Sequence, residues 1–185
     1  PHSNADVSAA IAAADAAFRT WREIPIPERA VRMHLLARVL RDRKERYARL
    51  ITTEMGKPIG EAQAEIEKCA WNCEFYADHA AEFLADERVE SNATSSYVAF
   101  EPLGVILAVM PWNYPFWQVI RFLAPALMAG NAAVLKHASN VPQCALALEE
   151  AVRDAGFPAG ILRTLLLSGA EVEPVIADDR VRAVT

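Results

Sequence analysis

Residues 104–110 read Gly-Val-Ile-Leu-Ala-Val-Met, a continuous apolar run without a polar residue. Such a run is typical of a parallel strand that is buried on both faces of a sheet. A second apolar run follows at 132–135, a mostly apolar segment lies at 161–167, and an alternating apolar segment begins at Val181. The chain is therefore predicted to contribute four strands to one parallel sheet.

Helical segments separate these four runs, at 116–128, 142–155 and 170–177. The resulting order βαβαβαβ predicts an α/β fold with right-handed crossovers. Ligands of such sheets bind at the carboxyl ends of the strands. The loops that follow the first three strands are therefore the candidate site: residues 110–115, the segment from Lys136 and the pair Ser168-Gly169.

The part of the chain before this sheet is predicted to be helical. Asp6 is placed to cap a first helix. Pro27 is placed to open a long helix that runs to about Ile51. A further helix is expected to end at about Leu84. Three regions follow: N-terminal helices at 1–90, a strand-like arm at 91–103, and a Rossmann-like cofactor-binding region at 104–185. The last region is expected to be incomplete at its C-terminal end, because the sequence stops within a predicted strand.

Composition excludes several classes of function. The net charge is −5 with mixed signs, so we expect no nucleic acid or membrane partner. The sequence contains no stretch of eighteen apolar residues, so no transmembrane helix is predicted. Three cysteines make no disulfide framework, which favours a cytoplasmic location. No Cys/His pair has the spacing of a metal site, so no metal is expected.

Nucleotide motifs of the common kind are missing, since neither GxGxxG nor a Walker loop occurs. A dinucleotide would have to bind in another way. Considered alone, Asn113 is more often a turn former than a donor to a reacting oxygen. Lys136, at a strand end, fits a ligand contact and a solvated position equally well.

Three motifs follow one another between Glu101 and Lys136: Pro-Trp-Asn-Tyr-Pro at 111–115, Pro-Ala-Leu-Met-Ala-Gly-Asn at 125–131, and Val-Leu-Lys at 134–136. Their order and separations resemble the aldehyde dehydrogenase superfamily. Glu-Met-Gly-Lys-Pro at 54–58 and Ala-Gly-Phe-Pro-Ala-Gly at 155–160 extend the resemblance over the rest of the chain. Lys-His-Ala-Ser-Asn at 136–140 makes the sequence most similar to the succinate-semialdehyde dehydrogenase subgroup.

The resemblance implies catalytic and substrate roles for two residues. Asn113 matches the family's oxyanion-hole Asn, whose amide donates to the oxygen that becomes negative when a thiolate attacks an aldehyde. Arg121 matches an Arg that binds the distal carboxylate of succinate semialdehyde, because a guanidinium can donate two parallel hydrogen bonds. The alternative is that Arg121 is an exposed helix residue that forms a salt bridge.

Cofactor contacts are implied in the same way. Lys136 matches the Lys that binds the adenosine ribose, and Ser139 stands where many NAD-specific members carry Glu, which makes NADP acceptable beside NAD. Gly169 would face the adenine and pyrophosphate, where a helix N-terminus favours an anion. Met110, Pro111 and Trp112 would line the nicotinamide side of the cleft. The alternative, that these three side chains serve only ordinary packing, is almost as well supported.

The family's nucleophilic Cys and its Glu base match no residue of this chain. We therefore expect a parent enzyme, a homo-oligomer that oxidises a small aldehyde with NADP or NAD, and a 185-residue species that is inactive alone. The alternative is a non-catalytic truncated product that binds nucleotide or self-associates. A generic Rossmann-like module with other chemistry is disfavoured by the ordered motifs.

Overall fold

A computed structural model describes all 185 residues. Helices and strands alternate in the second half, as the α/β class requires. The helices are α1 (Asn4–Trp21), α2 (Ile26–Asp42), α3 (Lys44–Met55), α4 (Ile59–Phe83), α5 (Trp117–Met128), α6 (Pro142–Asp154) and α7 (Glu173–Ile176). The strands are β1 (Glu87–Arg88), β2 (Tyr97–Val98), β3 (Val105–Met110), β4 (Ala132–His137), β5 (Leu162–Thr164) and β6 (Val181–Val184).

The four strands β3 to β6 form one sheet in the order β5-β4-β3-β6, and every neighbouring pair is parallel. The register of β3 on β4 runs from Val105 opposite Ala132 to Met110 opposite His137. The carboxyl ends of these two central strands therefore lie side by side. The predicted parallel sheet and the α/β class are confirmed.

Four features of the secondary structure differ from the sequence-based prediction. The helix expected at 27–51 is two helices, because Arg43 leaves the helical conformation (φ −108°, ψ 15°). Its guanidinium instead contacts Asp154 of α6 at 2.7 Å. The N-cap of α1 is Ser3, whereas Asp6 completes the capping box from the third helical position. Lys136 lies inside β4 and not after it, and the exposed hairpin begins earlier than expected, at Glu87.

The helical region and the sheet share one hydrophobic core. Its 50 buried residues form a single cluster that includes members of α1 to α6 and of the sheet. Two buried polar contacts join the parts: the Trp21 indole donates to the carbonyl of Leu127 at 2.8 Å, and Arg29 donates to that of Met128 at 2.8 Å. The N-terminal helices therefore pack against α5, the helix that follows the loop after β3.

No helix has the length and apolar composition needed to span a bilayer.

Candidate active site and cofactor cleft

The loop 111–116 leaves the carboxyl end of β3 and leads into α5. Its first half is exposed: Trp112 retains 50% of its accessible surface, and Asn113 also faces solvent. Its second half is buried, because Pro115 and Phe116 pack inwards. Asn113 thus projects from the end of a central strand, on the edge where ligands of parallel sheets bind.

The buried half of this loop is held by a carboxylate from another helix. Glu65 of α4, 4% exposed, accepts hydrogen bonds from the backbone N–H groups of Phe116 (2.9 Å) and Trp117 (3.0 Å). Its second oxygen forms an ion pair with the ammonium of Lys57, which is 7% exposed. That ammonium lies 3.6 Å from the centroid of the Tyr114 ring.

A histidine holds the loop from the sheet side. The Nε2 atom of His137, at the end of β4, lies 2.8 Å from the carbonyl oxygen of Pro115. Its Nδ1 accepts from the N–H of Ala138 at 2.9 Å, so Nε2 carries the proton. Burial lowers the pKa of this imidazole, which keeps it neutral. His137 is therefore a structural contact of the loop.

Three of the predicted site residues line one cavity. Met110, Pro111 and Arg121 surround a space of about 760 Å³ that also borders Gln118 and Thr185. Arg121 is exposed on the second turn of α5, and no acidic side chain forms a salt bridge with it. A cation without an internal partner beside a cavity is able to bind an anionic group.

Ser139 lines a second cavity of about 370 Å³, between β4 and the segment after β5. Its walls combine apolar residues with hydroxyl groups: Ala138, Pro142, Ala145, Leu165 and Leu167 beside Ser139, Thr164 and Ser168. Ligand pockets typically have about this volume and a mostly apolar lining with a few polar groups. The adenosine half of a dinucleotide suits such a space.

Neither Lys136 nor Gly169 lines either cavity. Lys136 is half-buried in β4, opposite Val109 of β3, and projects to the face opposite its neighbour His137. Gly169 is exposed at a 3₁₀ turn that follows Ser168. The N–H of Ser168 already donates to the Glu171 carboxylate at 2.8 Å, so it is not free for a phosphate.

The three cysteines lie within the hydrophobic core. Cys69, Cys73 and Cys144 are each fully buried and free. Burial raises the pKa of all three thiols, because a thiolate would lose its hydration. They are structural side chains, as the sequence indicated for the pair on α4.

The contacts that fix the loop were not predicted from the sequence. Glu65 lies 51 positions before Phe116, so no motif of the sequence joins the two residues. One signal was available: Glu65 falls on the apolar stripe formed by Ala62, Ile66 and Cys69, where a charged residue needs a partner.

Comparisons with known proteins give a consistent picture. The profile described as "Aldehyde dehydrogenase family" matches residues 2–185. A probable succinate-semialdehyde dehydrogenase [NADP(+)] from Synechocystis sp. is 53% identical over 184 residues, which are 100% of this chain and 40% of that protein. Succinate-semialdehyde dehydrogenase [NADP(+)] 1 from Mycobacterium tuberculosis is 47% identical over 183 residues, covering 97% of this chain and 40% of that protein.

Solved structures agree with the sequence relatives. The crystal structure of succinic semialdehyde dehydrogenase from Streptococcus pyogenes in complex with NADP+ superposes with a TM-score of 0.94 at 39% identity. It covers 98% of this chain and 40% of that one. An NAD-dependent aldehyde dehydrogenase from Sinorhizobium meliloti superposes with a TM-score of 0.91 at 31% identity, over 98% of this chain and 37% of that one.

The chain thus spans about 40% of the length of the curated relatives that it matches. The family profile matches almost all of its residues, and the fold and the ordered motifs agree with that match. This chain belongs to the aldehyde dehydrogenase family.

Proposed function

We propose that this chain supplies the cofactor cleft and one half of the oxyanion hole of an NADP- or NAD-dependent aldehyde dehydrogenase. The observation that carries the proposal is the position of Asn113, exposed on an anchored loop at the carboxyl end of a central strand. Its amide donates to the carbonyl oxygen of the aldehyde as that oxygen gains charge. A bound nicotinamide would supply the hydride acceptor for the oxidation.

Succinate semialdehyde is the favoured substrate. Arg121 offers an unpaired guanidinium on the cavity that Met110 and Pro111 also border, so the distal carboxylate of this aldehyde has a partner there. The names of the relatives from Synechocystis sp. and Mycobacterium tuberculosis support the same substrate class.

NADP is the favoured cofactor and NAD is accepted. Ser139 itself carries no negative charge, so a 2′-phosphate meets no repulsion from this position, although Glu171 also lines the cavity. Lys136 binds the adenosine ribose, and Trp112 with Met110 and Pro111 borders the nicotinamide. Gly169 lies close to the adenine side, although the adjoining N–H of Ser168 is engaged by Glu171.

The hairpin of β1 and β2, which overlaps the proposed arm at 91–103, serves association with another copy. Val89, Tyr97, Val98 and Phe100 each retain 45% or more of their accessible surface there. An exposed strand edge with apolar side chains is suited to pairing with a second chain. Three free thiols in the core fit a cytoplasmic location.

A species of 20.3 kDa, if it is the final product, binds nucleotide or self-associates without turnover. The specific observation behind this second candidate is that every thiol of the chain is buried and that burial raises its pKa, which keeps it protonated.

Intact mass followed by an aldehyde assay tests both candidates. A preparation whose mass exceeds 20.3 kDa at least twofold should reduce NADP+ when succinate semialdehyde is added. In that enzyme Asn113→Ala should lower kcat by about 10²- to 10³-fold, the usual loss for one oxyanion donor. An unchanged kcat in Asn113→Ala would refute the assigned role, and turnover by the 20.3 kDa species would refute the second candidate.

A further inference from the structure

The loop that carries Asn113 has no anchor within its own sequence. The helix that follows it, α5, begins without a side-chain cap from a neighbouring residue. Its first backbone N–H groups, at Phe116 and Trp117, both donate to Glu65 of α4. A single carboxylate oxygen therefore binds both N–H groups at the point where the chain enters α5, and His137 holds the preceding carbonyl of Pro115.

That carboxylate is buried, and a buried charge needs compensation. Lys57 supplies it through an ion pair, and the positive end of α5 adds to it. The same ammonium lies against the face of Tyr114, the residue next to Asn113. One pair of opposite charges thus contacts the loop at two places, the ring of Tyr114 and the backbone at Phe116.

The site needs this rigidity for a physical reason. An oxyanion donor lowers the barrier only when it points at the position that the developing charge will occupy. A displacement of about 1 Å in a catalytic group can cost on the order of 10²-fold in rate. Asn113 is exposed, so packing around its own side chain does not set its direction. The backbone after it must do so.

We propose that Glu65 and Lys57 are positioning residues that orient Asn113 by holding the backbone from Tyr114 to Trp117. This inference rests on the proposed function, because it assumes that Asn113 acts in aldehyde oxidation. Neither residue touches the substrate, and each acts through the loop.

The first test is kinetic and uses the active enzyme that contains this segment. Glu65→Ala should lower kcat per active site about 10- to 100-fold, with the Kd for NADP+ changed less than twofold. Glu65→Gln retains an oxygen acceptor and should recover part of the loss. Glu61→Gln, an exposed carboxylate one turn earlier on α4, is the matched control and should behave as wild type.

A double-mutant cycle separates positioning from a general structural role. If Glu65 acts through Asn113, adding Glu65→Ala to Asn113→Ala should lower kcat no further. Multiplied losses would overturn the proposal, and so would an unchanged kcat in Glu65→Ala. If Glu65→Ala does not fold, Lys57→Met is measured in the same cycle, with the same expected and contradicting outcomes.

A second readout does not depend on activity. In the 185-residue chain, amide hydrogen exchange at Phe116 and Trp117 should become at least tenfold faster in Glu65→Ala, with little change in α6 as internal reference. Unchanged exchange would contradict the anchor itself. A wild-type enzyme without aldehyde oxidation would instead refute the proposed function, while this exchange measurement would still report on the anchor.

Discussion

Single side chains at the carboxyl edge of the sheet determine which molecules the proposed cleft accepts. Ser139 borders the cavity assigned to adenosine, and Arg121 borders the cavity assigned to the aldehyde. The two residues lie on different cavities and different elements. Their substitutions should therefore change cofactor binding and substrate binding independently.

Ser139→Glu is predicted to shift the cofactor preference towards NAD. The new carboxylate would repel a 2′-phosphate and could accept from ribose hydroxyls. We expect the Kd for NADP+ to rise about tenfold or more, a change of about 1.4 kcal/mol. Fluorescence titration with both cofactors measures this shift, and Ser139→Gln is the uncharged control. Equal changes for NADP+ and NAD+ would show that charge at this position does not discriminate between them.

Arg121→Leu is predicted to impair the use of a carboxylated aldehyde selectively. Hydrogen bonds to charged groups contribute about 1.5 to 3 kcal/mol, so the KM for succinate semialdehyde should rise about 10- to 100-fold. The KM for a neutral aldehyde of similar length should stay within about twofold. Steady-state kinetics with both substrates provides the test, and parallel increases would remove Arg121 from the substrate site.

At the scale of elements, the sequence predicted the central strands better than the helices before them. The apolar runs that became β3 and β4 have few alternatives, because a strand buried on both faces leaves little room for polar residues. The single helix expected at 27–51 divides at Arg43 instead. At this break Arg43 forms an ion pair with Asp154, which is more than a hundred residues away. Local periodicity contains no information about such a partner.

In the candidate site, too, local patterns were predicted from the sequence and long-range contacts were not. Asn113 and Arg121 were recognised because they lie near a motif in the sequence. The anchors of the loop were missed, because Glu65 and Lys57 reach it through the packing of α4 under α5. Long-range contacts of this kind become visible only in three dimensions.

The close packing of α1 on the sheet predicts a sensitive position at Gly160. This residue precedes β5 with φ +93°, and an added Cβ would lie 2.6 Å from the carbonyl oxygen of Ala13. Gly160→Ala should therefore lower the free energy of unfolding by about 2 to 4 kcal/mol, from backbone strain and overpacking together. Gly60→Ala, in an open helical position, is the control and should cost nothing. Urea unfolding measures both, and a fully stable Gly160→Ala would contradict the packing described.

At the scale of the whole molecule, the N-terminal helices and the sheet are parts of one folding unit. Trp21 and Arg29 donate buried hydrogen bonds to the end of α5, and the core runs without interruption from α1 to the sheet. The N-terminal helices therefore pack against the elements that form the cleft.

One shared core predicts one cooperative transition. Urea unfolding followed by far-ultraviolet circular dichroism and by tryptophan fluorescence should give coincident curves, because Trp21 is buried between the two parts. Trp21→Ala should lower the midpoint for both probes, with a loss of about 3 to 5 kcal/mol. Two separate transitions would show that the helices and the sheet unfold independently.

The central claim is that this chain forms the cofactor cleft. The most direct test is a calorimetric titration of the purified 185-residue chain with NADP+ and with NAD+. We predict saturable binding of NADP+ that Lys136→Met weakens at least tenfold, while the control Lys44→Met, at a half-buried lysine of α3, leaves it unchanged. Absence of saturable binding of either dinucleotide at millimolar concentration, or equal binding by Lys136→Met, would contradict the assignment of the cleft to these residues.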